Sequence, residues 1–154
     1  MLVERILNEL KIYNKISSCF TDWRHIPAKS GIYEEFPEWI ESKLVRILKE
    51  KGINKLYSHQ ASALEFIKNK NNVVVVTPTA SGKTLCYNLP VLDSILRNEN
   101  SRALYLFPTK ALSQDQLTEL YQLVSALDEG IKTYTYDGDT PSSARQAIRR
   151  KDIL

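Results

Sequence analysis

The stretch VVVVTPTASGKT, Val73 to Thr84, decides how this chain is read. Four consecutive valines are β-branched and apolar, the composition of a strand buried on both faces. Pro78 closes the run, and Thr79, Ala80, Ser81 and Gly82 follow with small side chains that let backbone N–H groups come close to phosphate oxygens. A helix beginning at Lys83 points its positive end at the same place. In that arrangement Lys83 reaches the β and γ phosphates of ATP and the Thr84 hydroxyl holds Mg²⁺. Lys83 and Thr84 are therefore the candidate catalytic residues, and Thr79 to Thr84 the candidate cofactor-binding loop.

Downstream, Leu85, Leu89, Leu92, Ile95 and Leu96 keep a helical period from Lys83 to Arg97, with Pro90 removing one internal hydrogen bond. Ala103 to Phe107 reads as a second strand and Lys110 to Leu127 as a long helix stopped by Gly130. Lys132 to Tyr136 reads as a third strand, Asp137-Gly138 as a turn, and Thr140-Pro141 as the cap and first turn of a helix over Ser142 to Arg150. Strands alternating with helices predict an α/β fold: a parallel sheet with right-handed crossovers and ligands at the carboxyl ends of its strands.

Upstream, Leu2 to Ile16 carries the spacing of an amphipathic helix that packs on a core. Cys19 to Pro37 is a loop-rich connection pinned by Trp23, Tyr33 and Phe36. A helix over Glu38 to Lys51 stops at Gly52, and a third runs from Ser58, its expected N-cap, to about Lys70. Asn71 and Asn72 separate it from the valines.

With 154 residues, 43% hydrophobic and 25% charged, the chain has the size and make-up of one soluble globular domain. A net charge of +3 neither demands nor excludes nucleic acid. Cys19 and Cys86 form no metal-ligand spacing with His25 and His59, so reduced thiols are expected. Secretory and membrane-spanning patterns are lacking, which makes a cytoplasmic location the expectation.

The position six before Lys83 is Thr77, where the general phosphate-loop pattern has glycine. With that departure, TPTASGKT resembles motif I of superfamily 2 helicases. PTKALSQDQ, Pro108 to Gln116, resembles their motif Ia, and LYSHQ, Leu56 to Gln60, their Q motif. Together with EEFPEW upstream and YDGDTP downstream, the set is most similar to DEAD/DEAH-box helicases of the MrfA/YprA type, bacterial relatives of the RecQ-like Hrq helicases.

The resemblance implies a RecA-like P-loop domain and assigns roles to matching positions. Gln60 reads adenine, since an amide both donates to N7 and accepts from N6. From the residues alone it reads equally as a polar group in a helix's first turn, and Tyr57 as a base contact or a packing residue. Thr109 and Lys110 read by themselves as a helix cap and a solvated lysine; the resemblance makes them contacts to the backbone of single-stranded DNA. Gly138 and Asp139 join them on the same ground, although a turn explains both. Arg145, Arg149, Arg150 and Lys151 read as a solvated basic face.

Phosphoryl transfer also needs an acidic residue on Mg²⁺ and another to orient water. Neither a DEAD nor a DEAH tetrad occurs, and Asp128-Glu129 before Gly130 reads as a helix end. The expectation is a helical N-terminal segment over 1–52 and a first RecA-like domain over 53–154 that stops before the acidic motif, Asp152 to Leu154 opening the next strand. Its partners are then ATP, single-stranded or partly duplex DNA and the remainder of the helicase, with no membrane. The resemblance implies a complete protein that translocates 3′ to 5′ and serves DNA repair, while these residues alone are expected to turn over little ATP. A non-hydrolysing nucleotide- or nucleic-acid-binding module and an unrelated P-loop ATPase or kinase are the other readings.

Overall fold

The computed structural model describes residues 2–13, 18–22, 24 and 26–150. Trp23, His25, Ile16 and the expected strand start at Asp152 to Leu154 lie outside the described residues, as does Lys151. The chain divides into two compact units, Met1–Gly31 and Ile32–Leu154. In the first, α1 (Leu2–Ile12) places Glu4 in its first turn and Lys11 in its last, each complementing the helix dipole. Val3 and Ile6, on its expected docking stripe, are exposed.

The second unit begins with β1 (Tyr33–Glu34), α2 (Ser42–Glu50), β2 (Leu56–Tyr57) and α3 (Ser58–Lys68). It continues with α4 (Lys83–Arg97), α5 (Lys110–Leu127) and α6 (Ser142–Arg150). The periodicity anticipates α4 and α5 residue for residue; α6, expected roughly over Ser142 to Arg150 from the Thr140-Pro141 pair, has those bounds, with Pro141 before its first residue rather than in its first turn. α2 starts later than expected, because Glu38 to Ile40 form a turn in which Ile40 N–H donates to Pro37 C=O at 3.1 Å. Ser58 is the first helical residue of α3 and Tyr57 its N-cap, one position before the expected cap. α3 ends at Lys68, with Asn69 as its C-cap and Lys70 at φ +60°. Asp128 is the left-handed C-cap of α5, so Asp128-Glu129 is a helix end.

The core lies between helices. Leu44, Ile47 and Leu48 of α2 share one face by i, i+3, i+4 spacing, and meet Leu64 of α3, Leu89 and Leu92 of α4 and Leu123, Val124 and Leu127 of α5. One buried carboxylate, Asp93 on α4, links these layers. Its Oδ1 accepts the N–H of Glu41, the N-cap of α2, at 2.7 Å. Its Oδ2 accepts Arg97 Nε at 2.8 Å, and Arg97 also donates to Trp39 C=O. Leu64 is fully buried in this cluster. Leu64→Ala is expected to cost about 2–5 kcal/mol, read as a lower urea midpoint with an unchanged m-value.

The expected parallel sheet is not present as a ladder among the described residues. The sheet they do form is β1 with β2, antiparallel, Tyr33 opposite Tyr57 and Glu34 opposite Leu56. The three segments expected to be strands join no sheet, and exposure alternates along each with the period of two that extended chain has. Val74 and Val76 are each 89% exposed, and Leu104 and Leu106 are exposed at 74% and 83%. A parallel sheet is stable when both faces are covered. Here the alternate residues of each segment are only half-buried, and nothing among the described residues covers Val74, Val76, Leu104 and Leu106.

Candidate functional site

The phosphate loop is shaped by two left-handed residues, Ala80 at φ +59° and Gly82 at φ +73°. Gly82 is the N-cap of α4 and has no side chain with which to cap it. Of the first-turn N–H groups of α4, Leu85's donates to the Gly82 C=O at 3.2 Å, and those of Lys83 and Thr84 are left for an anion, which is the requirement of phosphate binding at a helix N-terminus. The loop borders a cavity of about 480 Å³ whose lining includes Ala80 to Thr84, Asn88 and Ile53.

Lys83 folds back over its own loop. Its ammonium donates to Thr77 C=O at 2.8 Å and Pro78 C=O at 2.7 Å, and lies 3.3 Å from both Thr77 Oγ1 and Ser81 Oγ. The Thr77 and Ser81 hydroxyls bond each other at 2.6 Å. Thr77, the departure from the general pattern, thus gives the ammonium both a carbonyl and a hydroxyl, where glycine would give only the carbonyl. All of these acceptors lie in the loop, so the positive charge sits where phosphate oxygens belong.

Gln60 is 2% exposed. Its Oε1 accepts the Tyr57 N–H at 2.8 Å, and its Nε2 donates to Gly82 C=O at 2.7 Å. Of the two readings of Gln60, the structure shows the first-turn one, in which its side chain completes the first turn of α3, and adds a bond across to the phosphate loop. An amide has one more lone pair and one more proton than these bonds use, so adenine recognition remains chemically open to it. Beside it, the Tyr57 ring stacks on Tyr33 at 5.0 Å and on His59 at 5.7 Å.

The Thr84 hydroxyl donates to Gln116 Oε1 at 3.3 Å, and the Tyr87 hydroxyl donates to the same oxygen. This contact brings the PTKALSQDQ segment to the GKT segment. The donor set fits ATP with Mg²⁺: an uncapped helix start, an ammonium already in the loop, and a hydroxyl whose proton is engaged so that its lone pairs are available. Mg²⁺ usually takes one or two protein ligands and fills its shell with phosphate oxygens and water. Thr84 is the ligand these residues offer.

Thr109 is the N-cap of α5, its hydroxyl accepting the Leu112 N–H at 3.2 Å. Lys110 pairs with the Asp139 carboxylate, and this bond raises the lysine's pKa above the ordinary value. Thr109, Lys110, Gly138 and Asp139 are thus neighbours, as the sequence grouped them, but Lys110 already has an anion as partner. Gly138 is not in the left-handed region, and a Cβ there would meet Lys110 Nζ at 3.8 Å, an ordinary contact. The turn therefore does not depend on glycine.

The loop itself is closed by Asp137 and Arg145. The Asp137 carboxylate accepts the Asp139 N–H at 2.9 Å and the Thr140 N–H at 3.1 Å, and the Asp139 bond foremost holds it below the usual carboxylate range. Arg145 donates to the carbonyls of Thr140, Asp137 and Gly138 at 2.8, 2.7 and 2.9 Å. Arg145 is half-buried rather than part of a solvated face, and it shares the Tyr136 ring with Arg149, each 5.5 Å from the centroid. Sequence reading did not single out Gln116, Asp93 or the loop-closing role of Arg145. The LSQDQ ending of the motif Ia segment was the available signal for the first; the other two had none.

A family model of the DEAD/DEAH box helicases matches residues 57–154. The chain belongs to this helicase family. It is 45% identical over 147 residues to the ATP-dependent helicase YprA of Bacillus subtilis, covering 96% of this chain and 20% of that protein. It is 34% identical over 153 residues to the ATP-dependent helicase hrq1 of Schizosaccharomyces pombe, covering 96% of this chain and 14% of that one. Among solved structures, the DUF1998 helicase MrfA bound to DNA and AMPPNP superimposes with a TM-score of 0.78 at 48% identity, over 84% of this chain and 18% of that one. The fold of the second unit is accordingly that of a RecA-like helicase domain. These 154 residues span a fifth or less of the helicases they match.

Proposed function

We propose that this chain is the ATP-binding and DNA-contacting front part of an ATP-dependent DNA helicase. Its DNA-contacting groups are those around Thr109, Lys110, Gly138 and Asp139. The observation that carries the reading is the junction at Gly82. There the Gln60 amide of the LYSHQ segment bonds the phosphate loop whose ammonium, Lys83, is held among loop oxygens. Bound ATP supplies the phosphates and, with Mg²⁺, the charge that these groups are arranged to meet. Lys83 then exchanges its loop carbonyls for phosphate oxygens, Gln60 holds the loop against α3, and Thr84 offers its lone pairs to the cation.

Hydrolysis belongs to the longer protein, because the 154 residues contain no DEAD or DEAH tetrad. There, closure of a second domain on the first drives 3′-to-5′ movement along DNA in the service of repair. Residues 1–52 form the leading helical segment, and 53–154 the front of the first RecA-like domain. In that longer protein the segments 73–77, 103–107 and 132–136 become neighbouring strands of the parallel sheet, their exposed valines and leucines covered.

Titration with a fluorescent ATP analogue and Mg²⁺, alone and with a single-stranded oligodeoxynucleotide, tests the assignment. Saturable binding of both is expected, with the DNA affinity falling as salt is raised. A chain that binds the oligonucleotide but shows no nucleotide signal would turn the reading towards a nucleic-acid-binding module.

A further inference from the structure

We propose that Gln116 is the positioning residue that holds the Thr84 hydroxyl ready for Mg²⁺ and ties it to α5; this rests on the nucleotide site proposed above. A threonine hydroxyl has one proton and two lone pairs. To serve a cation it must send the proton elsewhere, or the proton competes for the face the metal needs. In this structure Gln116 Oε1 takes it, at 3.3 Å. The same oxygen also accepts the Tyr87 hydroxyl, so both of its lone pairs are used and the amide is fixed with its oxygen towards α4. Turned over, its NH₂ would donate to Thr84 Oγ1 and occupy the lone pair meant for Mg²⁺.

The placement also joins the two halves of the site. Gln116 lies about two turns along α5 from Thr109, which caps that helix beside Lys110 and Asp139. Thr84 lies in the first turn of α4, directly after Lys83. A shift of α5 therefore reaches the cation ligand through one side chain.

The test measures affinity for N-methylanthraniloyl-ATP in Mg²⁺ and in EDTA. Gln116→Met keeps volume and removes the acceptor; Gln116→Glu keeps an acceptor for both hydroxyls. Groups that orient metal ligands cost about 10-fold or more in metal affinity when removed. Gln116→Met is therefore expected to bind the nucleotide about 10-fold more weakly in Mg²⁺ and as the wild type does in EDTA, while Gln116→Glu restores the Mg²⁺ value. Should Gln116→Met fail to fold, Gln116→Ala takes its place in the same comparison. Unchanged Mg²⁺ affinity, or equal loss with and without Mg²⁺, overturns the role of Gln116. Wild-type binding that ignores Mg²⁺, or that survives Lys83→Ala, overturns the site itself and this inference with it.

Discussion

Lys83→Ala is expected to weaken binding of the Mg²⁺–nucleotide by about 10- to 100-fold while leaving the fold intact. The size follows from what is removed. A charge-assisted hydrogen bond contributes about 1.5–3 kcal/mol, and each 1.4 kcal/mol is roughly tenfold in affinity. The selectivity follows from where the ammonium bonds. Every acceptor it has is in its own loop, at Thr77, Pro78 and Ser81. None is in the Leu44, Leu64, Leu89 and Leu127 cluster that holds the helices together. Thermal unfolding of the variant should stay close to that of the wild type as titration of the nucleotide collapses. Lys83→Arg is expected to bind poorly too, because a planar guanidinium does not fit a position shaped for a compact ammonium with converging acceptors. In a complete helicase Lys83→Ala should abolish ATP hydrolysis, and undiminished hydrolysis there would sink the assignment of the loop.

How much of this was legible in the sequence depends on the range of the interaction that fixes each element. α4, α5 and α6 are written in local signals: apolar residues recur at helical intervals in the first two, and Gly82, Thr109 and the Thr140-Pro141 pair stand at the three starts. The phosphate loop is equally local, since small residues and GKT lie within one turn of chain. Long-range terms were not legible. Asp93 is 52 residues from the Glu41 N–H it accepts, and no local pattern distinguishes it from a solvated helix residue. Gln60 could be placed in a first turn from its neighbours, but its bond to Gly82 spans 22 residues and exists only after α3 packs beside the loop. β1 and β2 are two residues each, too short for any alternation to show. The strands went the other way. Four valines promise a strand covered on both faces, yet Val74 and Val76 face outward, because pattern states what a segment needs and not whether the cover is supplied.

The second large effect is expected at Gly82. Its φ of +73° lies where an added Cβ is disfavoured, at about 1–2 kcal/mol for an L-residue. The Cβ of an alanine would also stand 2.6 Å from Gln60 Nε2, closer than atoms tolerate. A flexible side chain would swing aside at little cost, but Gln60 is buried and held at both ends, by the Tyr57 N–H and the Gly82 carbonyl. Moving it breaks one or both bonds and leaves a buried amide unpaired, at about 1–3 kcal/mol. Gly82→Ala should therefore lose about 2–5 kcal/mol of stability and most of its nucleotide affinity, since the residue that clashes is the one that holds the loop. The two contributions separate in a double-mutant cycle. Gln60→Ala removes the clashing amide but leaves the backbone strain. The double variant should thus be less destabilised than the two single changes taken together, and should still bind nucleotide poorly. Strict additivity in urea unfolding would mean that Gln60 yields freely, and that the loop is held in place by its own backbone rather than by the side chain of the neighbouring helix.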